Sequence, residues 1–236
     1  MGLEGIIFDV DGVIVETENL HRLAYNAMFQ KKNIPVVWSP ADYKAVLSQT
    51  AGKKLLPIVN SMSVKDKQAT LLALHQEKRL CFEEILDDLG PKGRLLPRPG
   101  VLNLIKNALS RDIKLGLATV SPRSGATKLL TYTLGAELLK RFSGFCTGFE
   151  VKNTKPAPDV YLAALAQIQT SAANTIAIED TEHGIQAARS AGLKTVATPS
   201  EYTQDCVFAE ATLIVPDLEH YKENKPVTID VLEALL

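Results

Sequence analysis

The sequence predicts an α/β protein, a doubly wound parallel sheet with a helical insertion near its start, and three observations carry this. From Leu95 onward, short apolar runs alternate with longer segments of helical spacing. Most of the runs are apolar on both faces, as strands covered by helices on either side must be. One more such run opens the chain, cut off from the others by a charge-rich stretch without any strand pattern. Strands alternating with helices in this way build a Rossmann-like sheet.

Taken in order, "GIIFDV" (5–10) is the first buried strand. Residues 16–93 follow with helix-like sequence such as "ENLHRLAYNAMFQKK" (18–32) and "VKDKQATLLALHQEKRLCFEEILDDLG" (64–90). We read this stretch as a helical domain inserted into an α/β domain formed by 1–15 and 94–236. "VIVET" (13–17) and the Pro/Gly-rich "GPKGRLLPRPG" (90–100) are its hinges. Beyond them, "LGLATVS" (115–121), "TIAIED" (175–180), "KTVAT" (194–198) and "ATLIVPD" (211–217) read as strands. "GVLNLIKNALSRD" (100–112), "APDVYLAALAQIQ" (157–169) and "HGIQAARSAG" (183–192) read as helices, the last stopped by Gly192. Lys155 falls between a further strand and a helix.

Composition narrows the function. The chain has 236 residues, 46% apolar and 22% charged, ordinary values for a globular protein with a sizeable core. With 26 basic against 27 acidic residues the net charge is −1, so no basic footprint points to nucleic acid or an anionic membrane. The expected partner is a small molecule. Cys81, Cys146 and Cys206 lie far apart in no metal-ligand pattern and read as reduced thiols. The first residues carry neither a signal-peptide pattern nor a myristoylation signal, and no run approaches a membrane span. A cytoplasmic monomer is expected.

In an open α/β sheet, ligands bind beyond the carboxyl ends of the strands. Asp9 and Asp11 follow the first strand, Thr119 and Ser121 with Arg123 follow "KLGLA", Lys155 lies in "NTKPAP", and Glu179 and Asp180 end "TIAIED". One rim thus carries four carboxylates, two hydroxyls and a lysine. Like charges gathered there need a cation, and hard oxygen ligands favour Mg²⁺. Lysine and hydroxyl donors beside a metal suit the equatorial oxygens of a transferring phosphoryl group. With no thiol, serine–histidine pair or P-loop at hand, a carboxylate can itself be the nucleophile, and Asp11 can protonate the leaving oxygen and then deprotonate water. A calcium loop starting at Asp9 fails, because Val13, Ile14 and Leu20 stand where a ligand, the glycine and the bidentate glutamate belong.

"FDVDGV", "LATVS", "KPAPD" and "IEDTEHGIQAARSAG" resemble, in order and spacing, the four signature motifs of the haloacid dehalogenase superfamily of phosphatases and mutases. The resemblance spans essentially the whole chain, and the insertion looks like the cap of its β-phosphoglucomutase-like subfamily. "ETENLHR", "LLPRPGV", "IEDTEHG" and "SEYT" are most similar to the CbbY branch, whose members dephosphorylate sugar bisphosphates such as xylulose 1,5-bisphosphate. The resemblance implies Asp9 as nucleophile, Asp11 as general acid/base, and Thr119 and Lys155 as holders of the phosphoryl group. It implies Mg²⁺ held by Asp9, Asp11 through its carbonyl, Glu179 and Asp180. Glu18, His21, Gly52 and Lys53 of the cap, with Ser121 and Arg123, would face a phosphosugar. The branch reads Gly-Gly-Lys-Glu-Arg where this chain has "AGKKL" (51–55), so Leu55 replaces an arginine that helps hold substrate phosphate.

The expected activity is therefore that of a Mg²⁺-dependent phosphatase for a small phosphosugar. A phosphosugar mutase is the close alternative, against which "LLPRPGV" and "SEYT" weigh. A phospho-acceptor signalling module shares the acidic residues, Thr/Ser and Lys, but is about half this length and lacks the insertion. Trp38 and Tyr43 are expected to be packing residues of the cap, and His75, His183 and His220 receive no role.

Overall fold

The computed structural model describes residues 2–47, 53–222 and 225–236. It divides into two units, Met1–Glu16 with Gly93–Leu236, and Thr17–Lys92. In the first unit, β1 (Gly5–Phe8) opens the chain. The second unit holds α1 (Glu18–Lys31), α2 (Pro40–Leu47), α3 (Leu56–Ser61) and α4 (Lys67–Leu89). The first unit resumes with α5 (Val101–Ser110), β2 (Lys114–Thr119), α6 (Arg123–Leu134), α7 (Ala136–Leu139), β3 (Gly144–Thr147) and α8 (Asp159–Ile168). It ends with β4 (Thr175–Glu179), α9 (Glu182–Ser190), β5 (Lys194–Ala197), β6 (Leu213–Ile214) and α10 (Ile229–Glu233).

The sheet runs β3-β2-β1-β4-β5-β6, parallel throughout. All residues of β1 and β4 are buried, which is why both read as continuous apolar runs. Ile7, Ala118, Cys146 and Ala177 pack one face against Val160, Tyr161, Ala164 and Ile168 of α8 and Ala187 and Ala188 of α9. In α5, Val101, Leu104, Ile105 and Ala108 are buried, the spacing of one helical stripe. Register matters more for function than packing does. Phe8 lies opposite Leu117 of β2 and Ile178 of β4, so Asp9, the end of β2 and Glu179 share one edge of the sheet. The chain steps from β1 to one side and then, through β4, to the other, and the crevice at that reversal is where an α/β sheet holds ligands.

One strand differs from expectation in its bounds. The last covers only Leu213–Ile214 rather than 211–217. The further strand expected ahead of Lys155 is β3, a four-residue edge strand opened by a glycine.

In the helical unit α1 packs along α4 and buries Ala24, Tyr25, Met28 and Phe29. Trp38 sits between Tyr25 and Phe29, with ring centroids 4.9 and 5.0 Å away. The Asn26 amide brackets its backbone, accepting from Trp38 N at 2.8 Å and donating to Trp38 O at 2.9 Å. Asp66 caps α4 by accepting from Ala69 N.

Candidate active site

Lys155 is the centre of the cluster. Its Nζ donates to Asp9 Oδ1 at 2.6 Å, to Glu179 Oε1 at 2.6 Å and to the Ala118 carbonyl at 2.9 Å. Both ion pairs are buried, with side-chain exposures of 6% for Lys155, 9% for Asp9 and none for Glu179. A lysine so enclosed keeps its charge only because carboxylates face it. Burial opposes the ammonium, yet Asp9 and Glu179 outweigh it and hold its pKa above the ordinary lysine value.

Glu179 is saturated with donors. Oε1 accepts from Lys155 and from the Tyr161 hydroxyl at 2.6 Å, while Oε2 accepts from Asp180 N, Thr181 N and the Thr181 hydroxyl. Tyr161 is fully buried, and burial with the Glu179 charge beside it raises its pKa, so it stays a neutral donor. The Thr181 hydroxyl also caps α9 by accepting from Gly184 N at 3.1 Å, which fixes the turn that carries Glu179 and Asp180.

Asp9, Glu179 and Asp180 each offer an oxygen within 4.8 Å of the others, and all three are buried. Burial pushes the Asp9 carboxyl up to about 8; Lys155 opposes the rise, while Glu179 and Asp11 add to it. Three carboxylates against one ammonium leave an excess of negative charge that a divalent cation would neutralise. The backbone is shaped to keep these oxygens where they are. A Cβ on Gly12, at φ +79°, would lie 2.0 Å from Asp180 Oδ2, and one on Gly184 would lie 1.9 Å from the Glu179 carboxyl carbon. The donor set fits a hard cation such as Mg²⁺.

On the other side of Asp9, the Ser121 hydroxyl donates to Asp11 Oδ2 at 2.6 Å and the Thr119 hydroxyl reaches the same oxygen at 3.4 Å. Ser121 N in turn donates to Thr119 Oγ1 at 3.0 Å. The first unit thus brings together Asp9, Asp11, Thr119, Ser121, Lys155, Glu179 and Asp180. It does not bring Arg123 to them. That guanidinium is held by the Glu150 carboxylate, by the Phe145 carbonyl at 2.6 Å and over the Phe145 ring at 4.4 Å, because Glu150 supplies a bidentate acceptor next to the start of α6. Two residues of the cluster went unread in the sequence. Tyr161 sits on the buried face of α8, where an aromatic reads as core. Arg98 reads as a hinge residue but anchors the loop after β1: it donates to the carbonyls of Gly12, Thr198 and Pro199.

In the helical unit, Glu18 accepts from the Tyr43 hydroxyl at 2.7 Å, and that hydroxyl accepts from Lys54 Nζ at 3.3 Å. Tyr43 is buried among Tyr25 and Trp38, as a packing residue should be, but its hydroxyl is a polar relay as well. His21 stacks on Phe82 with centroids 4.3 Å apart, and its Nδ1 accepts from Lys78 Nζ at 2.8 Å. Lys53 is exposed whereas its neighbour Lys54 is buried. Gly52 lies outside the described residues.

A doubly wound sheet with a buried carboxylate and lysine cluster at its switch point is the architecture of an α/β enzyme. Residues 3–192 match the haloacid dehalogenase-like hydrolase family, and the chain belongs to it. It is 37% identical to Protein CbbY of Rhodobacter capsulatus, over 92% of this chain and 95% of that protein. Against a phosphorylated carbohydrates phosphatase of Thermotoga maritima, identity is 29% over 82% of this chain and 84% of the relative. Among solved structures, a CbbY mutant from Rhodobacter sphaeroides in complex with xylulose 1,5-bisphosphate superposes with a TM-score of 0.81. Identity to it is 28%, with 91% of this chain and 94% of that one covered. The chain is a phosphatase similar to CbbY within this family. Among the described residues no helix is long and apolar enough to cross a membrane.

Proposed function

We propose that the chain hydrolyses a small phosphosugar, of the sugar bisphosphate class, in a Mg²⁺-dependent reaction that passes through a phosphorylated Asp9. The observation that carries this reading is Lys155 clamped 2.6 Å from both Asp9 and Glu179, beside Asp180. Asp9 is the nucleophile: one of its oxygens forms a bond to phosphorus as the bond from phosphorus to the sugar oxygen breaks. Asp11 gives its proton to that departing oxygen. Water then attacks phosphorus, Asp11 takes back a proton, and inorganic phosphate leaves with the Asp9 carboxylate restored. Lys155 and Thr119 hold the equatorial oxygens, and the Ser121 hydroxyl orients Asp11.

Asp9, Asp180 and the Asp11 carbonyl would hold Mg²⁺, which supplies charge neutralisation of the phosphoryl group when bound. Glu179, with both oxygens engaged by donors, acts by orienting Lys155 and the Asp180 turn rather than by direct ligation. Residues 1–15 and 94–236 form the catalytic core and 16–93 the cap. There Glu18, His21 and the segment that includes Gly52 and Lys53 select substrate. The xylulose 1,5-bisphosphate bound by the CbbY mutant supports the substrate class.

The test is a panel of sugar mono- and bisphosphates, with release of inorganic phosphate followed with and without Mg²⁺. Many turnovers per chain, with Mg²⁺ required, are expected for at least one bisphosphate. Conversion to an isomeric phosphosugar without phosphate release would make the chain a mutase, and a halt near one phosphate per chain would make it a phospho-acceptor.

A further inference from the structure

We propose that Arg98 is a positioning residue for the cation site: it ties the loop after β1 to the loop after β5 and so fixes where Asp180 stands relative to Asp9 and Asp11. This inference rests on the metal-dependent reading above.

The geometry starts with backbone groups that the sheet leaves unserved. Past the ends of β1 and β5 the carbonyls of Gly12, Thr198 and Pro199 have left the ladder, and carbonyls near a buried site need donors. Arg98 supplies all three. Nη1 donates to Gly12 O, to Thr198 O at 2.9 Å and to Thr198 Oγ1 at 2.8 Å, and Nη2 donates to Pro199 O at 2.6 Å. Its own backbone N donates to Ile14 O at 2.8 Å, and the adjacent Pro97 bridges to Val15, so the residue is itself anchored to the β1 side.

What these bonds hold is the floor of the carboxylate cluster. Gly12 follows Asp11 directly and lies so close to Asp180 that no Cβ fits between them. A shift of the Gly12 peptide therefore displaces either the Asp180 carboxylate or the Asp11 carbonyl. On the other side, Thr198 N donates to Glu179 O at 2.7 Å, so the β5 loop is bonded to the last residue of β4, next to Asp180. Arg98 thus closes a ring of hydrogen bonds from β1 through β5 and β4 back to the cluster. Its planar fork sets Nη1 and Nη2 on acceptors of two different loops in a fixed geometry, whereas a lysine would offer all its donors from one nitrogen on a flexible stem. The arginine of "LLPRPGV" and the residues just ahead of "SEYT" are the two ends of this strut, which gives both sequence segments a shared purpose.

The experiment is direct Mg²⁺ titration of the full chain by calorimetry, with melting temperature measured in parallel, for wild type, Arg98→Met, Arg98→Lys and Thr198→Val. Loss of a group that orients a metal ligand costs about ten- to a hundredfold in metal affinity, the loss expected for Arg98→Met. Arg98→Lys should resemble Arg98→Met more than wild type, and Thr198→Val, which removes one acceptor, should weaken Mg²⁺ only a few-fold. A purely structural strut would lower the melting temperature and leave the Mg²⁺ constant of the folded variants unchanged, and that result overturns the proposal. Should Arg98→Met fail to fold, unchanged Mg²⁺ binding in both Arg98→Lys and Thr198→Val overturns it equally. Failure of wild type to bind Mg²⁺ would instead overturn the metal-dependent reading, and this inference with it.

Discussion

The carboxylate cluster of the α/β unit and the polar groups of the helical unit are built on opposite plans. Asp9, Glu179, Asp180 and Lys155 come from strand ends and the loops beside them, are buried, and hold several bonds each. Glu18 and His21 project from one helix, are half-buried, and lean on partners such as Tyr43 and Lys78 that come from other helices of that unit. Strand ends fixed by ladder register give a geometry that tolerates little change, whereas side chains on helices can be exchanged one at a time. Under the proposed function, the chemistry falls to the first region and substrate choice to the second. Substitutions in the cluster should act on kcat, and those in the helical unit on KM.

The sharpest way to break that contrast is Asp9→Asn, which keeps volume and removes the proposed nucleophile. Turnover should vanish while far-UV circular dichroism and the melting transition persist. Next comes Lys155→Ala, expected to lower kcat/KM by at least about 2 kcal/mol, roughly thirtyfold, as for loss of one preorganised donor. An unchanged kcat/KM would remove Lys155 from the site. Gly184→Ala separates shape from chemistry. Alanine in a helix normally gains about 0.5–1 kcal/mol over glycine, but overpacking against the Glu179 carboxylate costs about 1–3 kcal/mol. Net destabilisation in urea titration is expected. His21→Ala should have the smallest effect, raising KM for the phosphosugar about two- to tenfold, the worth of one hydrogen bond, with kcat retained. A drop in kcat instead would move His21 into the chemistry.

How legible all this was depends on range. Asp9, Asp11, Glu179 and Asp180 could be gathered from sequence because each follows an apolar strand, and parallel register brings such positions to one edge. Lys155 could be placed beside them from the loop that carries it. Arg98 was invisible as an anchor because its acceptors are carbonyls, which every residue possesses and no sequence pattern marks. The pairing of Arg123 with Glu150 went unread because Glu150 lies in a loop whose fold the sequence does not reveal. In the helical unit, Lys53 and Lys54 are indistinguishable by residue type, and only the packing shows that Lys54 is the buried one. The edge strand β6 fell short of the run read for it, and β3 could be expected only as a strand ahead of Lys155, both being too brief to carry a period.

The central claim is that Asp9 receives the phosphoryl group, and a trapping measurement tests it most directly. In an Asp11→Asn variant, water attack is slowed while acetyl phosphate, whose leaving group needs no proton, still reacts. Incubated with Mg²⁺ and radiolabelled acetyl phosphate, then quenched in acid, this variant should carry hydroxylamine-labile label on the peptide containing Asp9, and the Asp9→Asn, Asp11→Asn double variant should carry none. Label that persists in the double variant, or maps to another residue, would contradict the account.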